Sequence, residues 1–407
     1  MIDKLHVRNF RCLRDVELSL GPLNFLVGAN NTGKSSLLEA VELLCACAHT
    51  ANVEKVFADR ELPKGRRDRR GHPLGRILTN GNLASELEYD TSITFAPSQE
   101  GIQRVRYVLR LGLGSEGSIA PDGPATVRFE RVELRDAEGV LALYERQDEK
   151  PTSVAVTPRS GESKQAKLPS PRHTALGHRE HDSLLAPVRG ALRSTPVYHM
   201  VAREIATPCE AWPGDMVSAS GQGLAAYLGR LADEKPDRLR LIEGALKQLV
   251  AGVERVTFPS ISQREKTILF HESSGASVFA TDASDGLLEF LGYLAIAYAH
   301  DDVGVVLIEE PENGVHPRRL RDIVHLLRAI SSGELDAPPV QVIATSHSPY
   351  LLDCCSKDEV LVFQREADGG VQATPLSEVK DIDERLKDFA PGELIYTMGE
   401  GICGSRS

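Results

Sequence analysis

Residues 25 to 40 read FLVGANNTGKSSLLEA: an apolar run stops at a glycine, turns through small and polar residues, and resumes at helical spacing. Gly28, Gly33, Lys34 and Ser35 fit the pattern G-x-x-x-x-G-K-[ST]. This junction constrains the fold more than any other stretch, because the pattern works only where a strand ends and a helix begins. A polyphosphate held there lies against bare backbone N–H groups, which Cβ atoms would obstruct, at the positive end of a helix. LNFLVG reads as the strand, and TGKSSLLEAVELLCACA, from Thr32 to Ala48, reads as the helix. The expected nucleotide-binding residues are Gly28, Asn30, Asn31, Thr32, Gly33, Lys34, Ser35 and Ser36. Lys34 supplies a compact positive charge to the β and γ phosphates, and the Ser35 hydroxyl is placed to ligate Mg2+.

A second segment, VVLIEEPENGVHP at residues 305 to 317, puts Glu309 and Glu310 at the C-terminal edge of a buried strand. Ligands bind at that edge in open α/β sheets. Two adjacent acids there repel each other, and a cation relieves the cost. Glu309 is therefore expected to hold Mg2+ through its water shell, and Glu310 to orient and deprotonate the attacking water. The second carboxylate favours hydrolysis over phosphoryl transfer to another substrate. One strand-helix-strand unit later, VIATSHSPYLLD ends a strand at Thr345, Ser346 and His347. An imidazole at that tip can reach the γ phosphate or the lytic water. Lys34, Glu310 and His347 are the expected catalytic residues.

Strands alternate with helices in the C-terminal part: GVVLIEE, then PRRLRDIVHLLRAISSG, then VQVIATSH. That order implies an α/β fold whose core sheet is mostly parallel and covered on both faces. RVRYVLRLGL and TVRFERVELRD alternate apolar and charged positions, as antiparallel ribbons with one wet face do, and predict an antiparallel β subdomain. GLAAYLGRLADE and PDRLRLIEGALKQLVAG predict two helices, with Pro236 in the first turn of the second. Residues 51 to 85 and 148 to 173 read as exposed loops. The sequence thus suggests a discontinuous head (1–50 and 253–407), a variable β-rich and loop insertion (51–195) and a helical lobe (196–252).

The 407 residues suit two or three domains, or one with a large insertion, and 41% hydrophobic with 26% charged residues is an ordinary balance for a folded chain. Asp3, Lys4 and Arg8 interrupt the N-terminus where a secretory signal needs an apolar core. With no membrane segment in the sequence, a cytoplasmic protein is expected. The seven cysteines are odd in number and scattered, which predicts free thiols. A net charge of −11 argues against indiscriminate coating of nucleic acid. A local DNA contact could still run through Arg66, Arg67, Arg69 and Arg70, and Arg104, Arg106 and Arg110 would share one strand face as a second basic surface. His173, His178 and His181 lack a fourth ligand and are expected at the surface.

In their order and spacing, LHVRNFRCL, GANNTGKSS, SDGLLEFLGYLAIA, LIEEPENGVHP and ATSHSPYLLD make the chain similar to the ABC-type ATPases of the RecF, structural-maintenance-of-chromosomes (SMC) and OLD group. The likeness covers residues 1 to 48 and 280 to 353, and is nearest to the stand-alone OLD-like ATPases. It implies a P-loop ABC-ATPase head that binds ATP and Mg2+. It further implies a homodimer or higher homo-oligomer in which two heads sandwich two ATP molecules, each held by the phosphate loop of one chain and the signature of the other. Ser284, Asp285 and Gly286 fall at the signature, where a serine hydroxyl and the N–H groups of a helix start make a second anion site. Asn313 and His316 are expected to face the partner head. OLD nucleases join such a head to a Toprim nuclease domain, whereas only about 50 residues follow Asp353 here, too few for a packed domain. The resemblance therefore implies a motor or switch subunit serving a separate effector, a nuclease or toxin, in anti-phage defence. RecF-like repair or recombination, a nucleotide-gated scaffold with little turnover, and a nuclease within residues 51 to 280 stay open.

Overall fold

The computed structural model describes residues 1–50, 52–57, 73–95, 102–114, 123–146, 152–159, 162–177, 182–210, 217–262, 264–298, 303–313, 315–366 and 368–398. The chain divides into two compact units, each discontinuous. One comprises Met1–Gly21, Gly28–Ser194 and Val362–Thr374, and the other Pro22–Val27, Thr195–Leu361 and Pro375–Ser407. This differs from the bounds suggested by sequence, because the first two strands share a sheet with the strands of residues 87 to 167.

In the first unit β1 (Ile2–Phe10) and β2 (Leu13–Ser19) form a hairpin. The strand that follows, β3 (Leu23–Val27), belongs to the second unit. Then come α1 (Lys34–His49) and two single turns, α2 (Glu54–Phe57) and α3 (Leu74–Ile77). The eight-stranded antiparallel sheet is completed by β4 (Leu87–Thr94), β5 (Arg104–Leu113), β6 (Ala125–Asp136), β7 (Gly139–Arg146), β8 (Ser153–Pro158) and β9 (Lys164–Lys167). Its order is β2-β1-β4-β5-β6-β7-β8-β9. In β4 every second residue is buried, the period that seats one face on a core and leaves the other wet. Residues 148 to 173, expected as a loop, carry β8 and β9 instead. Their polar sequence hides the period because β9 is an exposed edge with Lys at both ends. Arg106 pairs with Asp90 and Arg110 lies 3.5 Å from Glu88, so acids on β4 neutralise much of the expected basic face. The helix α4 (Asp182–Ala191) closes the main run of the unit.

The second unit is built on strands in the order β10 (Ser194–Tyr198), β16 (Val305–Glu309), β17 (Gln341–Thr345) and β3, with β16, β17 and β3 parallel. β3 and β17 are buried at every position, and β16 at all but Glu309, which is the pattern of strands covered on both faces. Register places Glu309 beside Thr345, and Thr345 beside Leu26, so the strand ends align. Between β10 and β16 run α5 (Ala202–Ala206), β11 (Cys209–Glu210), α6 (Leu224–Glu234), α7 (Pro236–Leu249), β12 (Val253–Thr257), β13 (Glu265–Lys266), β14 (Leu269–Glu272), β15 (Ser277–Phe279) and α8 (Asp285–Tyr298). Leu288 to Tyr298 of α8 are buried all round, as befits a helix enclosed by protein. After β16 comes α9 (Leu320–Ser332), whose apolar stripe is buried. Then follow α10 (Pro349–Leu352) and the helices α11 (Ile382–Arg385) and α12 (Pro391–Met398), while the intervening strands β18 (Val360–Arg365) and β19 (Val371–Pro375) fall mostly within Val362–Thr374 of the first unit. The fold is α/β, with a parallel core set, an antiparallel subdomain and an inserted helical pair.

Candidate functional site

The glycine-rich turn lies in the first unit. Gly28 has φ +143°, and a Cβ there would stand 2.2 Å from the Phe363 carbonyl oxygen, so only glycine fits. Asn31 and Gly33 are also left-handed, at φ 65° and 95°. The Lys34 ammonium folds back into the turn and donates to the carbonyls of Gly28 (2.8 Å) and Ala29 (2.7 Å), while the Thr32 hydroxyl donates to Ala29 at 2.9 Å. Lys34 is buried, Asn30, Asn31 and Ser35 are exposed, and Ser36 lies 3.6 Å from the Cys12 thiol. The helix begins at Lys34, two residues later than its spacing predicts, with no side-chain cap and no acid in its first turn. Its positive end therefore faces the turn without a protein carboxylate to offset it.

The acidic strand edge lies in the second unit. β16 ends at Glu309, and Glu310 follows at φ 48°, a left-handed geometry held by its N–H donating to the carbonyl (3.1 Å) and hydroxyl (3.2 Å) of Thr345. His347 lies just past the end of the neighbouring parallel strand, with Nε2 3.6 Å from Glu310 Oε1. The sequence reading missed two supports. One oxygen of Glu312 accepts from the Ser346 hydroxyl (2.8 Å) and from the His347 and Ser348 amides (2.7 and 3.1 Å), which fixes the turn that carries the imidazole. His199, after β10, bonds the Glu309 carbonyl through Nδ1 at 3.1 Å and Asn313 through Nε2 at 3.0 Å. The third acid in EEPEN was a signal for Glu312, but nothing local marks His199.

Ser284, Asp285 and Gly286 open α8 in the second unit, where the Ser284 hydroxyl accepts a long bond, 3.4 Å, from the Leu287 amide as a cap does. They line a groove of about 340 Å3 with Glu289, His316 and Arg319. Asn313, expected to face a second head, is tied to His199, and His316 caps the turn 317–319 by accepting from the Arg318 amide. Glu289 is buried, and desolvation first, then Asp285, pushes its carboxyl up to about 7 against the pull of Arg319.

The six cysteines among the described residues are free, and burial pushes the Cys45 thiol up to about 12, far from a reactive value. Arg66, Arg67, Arg69 and Arg70 lie outside the described residues, as do His178 and His181. No helix among the described residues is long and apolar enough to cross a membrane.

The glycine turn and its uncapped helix in the first unit, and the parallel strands β3, β16 and β17 with Glu309 and Glu310 at the end of β16 in the second, mark a P-loop nucleotide-binding fold. Residues 1–71 match the family model described as "AAA ATPase domain", and residues 224–353 match "AAA domain, putative AbiEii toxin, Type IV TA system". The OLD nuclease of Thermus scotoductus is 50% identical over 44 residues, 11% of this chain and 8% of that protein. The DNA replication and repair protein RecF of Salmonella newport is 36% identical over 106 residues, 26% of each chain. Among solved structures, the SMC head domain from Thermotoga maritima aligns over 92% of this chain and 98% of that one, with 12% identity and a TM-score of 0.44. The SmcHead bound to the C-winged helix domain of ScpA aligns over 92% and 96%, with 12% identity and a TM-score of 0.47. In these matches the chain is similar to ABC-type ATPases of the RecF and OLD group. Its matches span about a quarter of the RecF relatives' length and under a tenth of the OLD nuclease.

Proposed function

We propose that this chain binds ATP with Mg2+ and hydrolyses it, pairing with a second copy as it does so. One observation carries the reading: Glu310 and His347 stand 3.6 Å apart at the aligned ends of two parallel strands, Glu310 held in a strained turn and His347 in a turn pinned by Glu312. A carboxylate and an imidazole so fixed can take a proton from a water and orient it.

Lys34 moves from its loop carbonyls to the β and γ phosphates, and the N–H groups at the start of α1 take the remaining phosphate oxygens. Gly28, Asn30, Asn31, Thr32, Gly33 and Ser36 shape that cradle. The Ser35 hydroxyl and the Glu309 carboxylate are each an oxygen donor of the kind magnesium prefers. When bound, the ion neutralises charge that develops on the phosphates. Glu310 accepts the proton of the attacking water, and His347 positions that water or the γ phosphate. Ser284, Asp285 and Gly286 meet the γ phosphate of the nucleotide on the second copy, so closure requires a triphosphate and release follows its cleavage.

The partial match to an OLD nuclease and the family description that mentions a toxin support a switch subunit with a separate effector, a nuclease or toxin, in anti-phage defence. The longer RecF match supports DNA repair as the alternative, with DNA met through Arg66, Arg67, Arg69 and Arg70. Phosphate release from purified chain with Mg-ATP tests the core claim. Lys34→Ala should lose nucleotide binding. Glu310→Gln should keep ATP and accumulate dimers by light scattering, with turnover down about 100-fold or more, as expected for loss of a general base. Native turnover by Glu310→Gln would remove it from the role of base.

A further inference from the structure

Gly286 has no side chain, and Arg319 lies across it: a Cβ there would stand 2.8 Å from Arg319 Nη1 and 3.2 Å from its Cδ. The guanidinium thus covers the first turn of α8, a helix start that already favours an anion. One turn deeper, Glu289 is 2% exposed, lines the same groove, and its Oε2 has no hydrogen-bond partner among the described residues. Buried carboxylates ordinarily take such partners, so a bare buried oxygen on a residue that lines a groove marks a group that waits for a proton or a ligand.

We propose that Arg319 receives the terminal phosphate of a nucleotide carried by a second copy of the chain, and that Glu289 is the positioning residue that governs when Arg319 is available. This rests on the paired-head reading above. An ionised Glu289 attracts the neighbouring guanidinium and repels phosphate, whereas a protonated one does neither. Its carboxyl, raised to about 7 by burial and Asp285, changes state near neutral pH. The groups around it are Asp285 and Tyr293 on α8, with Arg319 and His316 from the turn that leads into α9. Glu312 acts on Tyr293 together with Glu289. Among the charged groups on α8 and on the elements packed against it, Asp285 and Arg319 are the two that shift Glu289. An arriving phosphate adds negative charge, so its capture takes up a proton. Pairing therefore strengthens as pH falls and weakens above pH 7 by about tenfold per pH unit for each proton taken up, or about 100-fold when both composite sites of a pair take one.

Sedimentation velocity of the full chain with Mg-ATP at pH 6.5, 7.5 and 8.5 tests this, with nucleotide loading measured on the same samples so that pairing is compared at equal occupancy. The wild type should pair at least about tenfold, and up to about 100-fold, more weakly at pH 8.5 than at 7.5. Glu289→Gln should show a flat profile within about twofold, since it keeps the shape and removes the titration. Arg319 is exposed, so Arg319→Ala leaves the core intact; it should pair at least about tenfold more weakly at every pH, with partial recovery in Arg319→Lys. Wild-type behaviour in Glu289→Gln or in Arg319→Ala overturns the inference and leaves the paired-head reading standing. A wild-type chain that loads ATP yet never pairs at any pH removes both.

Discussion

Glu312 shows how much of a site can depend on one atom. Three donors converge on its Oε1, and two of them are the backbone amides of His347 and Ser348, which no side-chain substitution at those positions would remove. Glu312→Ala should release the turn and let the imidazole drift. A displacement of about 1 Å can cost on the order of 100-fold in rate. We expect kcat for ATP to fall roughly 10- to 100-fold with KM changed less than about threefold, while Glu312→Gln, which keeps an acceptor oxygen, retains most activity. Equal losses in the two variants, read by steady-state phosphate release, would mean that the charge matters and the positioning does not. The glycine turn and the paired acids were legible in the sequence because their chemistry sits within a few adjacent residues. Glu312 and His199 were not, since their bonds join residues 35 and 110 positions apart.

Elements were legible where the apolar period is strong. β3, β16 and β17 announce themselves as short apolar runs, and α9 as a stripe. The strands β8 and β9 did not, because an exposed antiparallel edge needs little apolar content and is protected by lysines. The main antiparallel sheet is tied internally by a buried ionic network. Arg146, 1% exposed, donates to the carbonyls of Val127, Pro171 and His173, and Glu130 accepts from the Ala175 and Leu176 amides and from Tyr107. Burial pushes the Glu130 carboxyl up, while Arg146 and the two amides pull it down. Arg146→Ala strands an acid and three carbonyls, and should lower stability by roughly 3–5 kcal/mol in urea unfolding. The double change Arg146→Met with Glu130→Leu should recover part of that loss; if it is worse than the single, the network contributes more than its own desolvation cost.

At the scale of the whole molecule, both compact units are assembled from separated pieces of chain, with crossings at Gly21, Val27, Ser194, Leu361 and Thr374. The sequence reading saw a discontinuous head, yet it assigned β1 and β2 to that head, because nothing in a hairpin tells which later strand it will pair with; β4 decides it, through a register joining Val7 to Tyr89. No single cut can therefore yield an intact unit. Residues 1–194 and 195–407 expressed apart should each be aggregated or poorly dispersed by NMR, and co-expression should restore solubility. A well-dispersed spectrum from residues 1–194 alone would contradict the interdependence.

The parallel pairing of β3 with β17 joins Phe25 to Ala344, so β3 must wait for a strand synthesised long after it. During synthesis the glycine turn hangs from an unpaired strand, and such distant closures are slow. A nascent polypeptide would thus be unable to grip nucleotide until translation has passed β17.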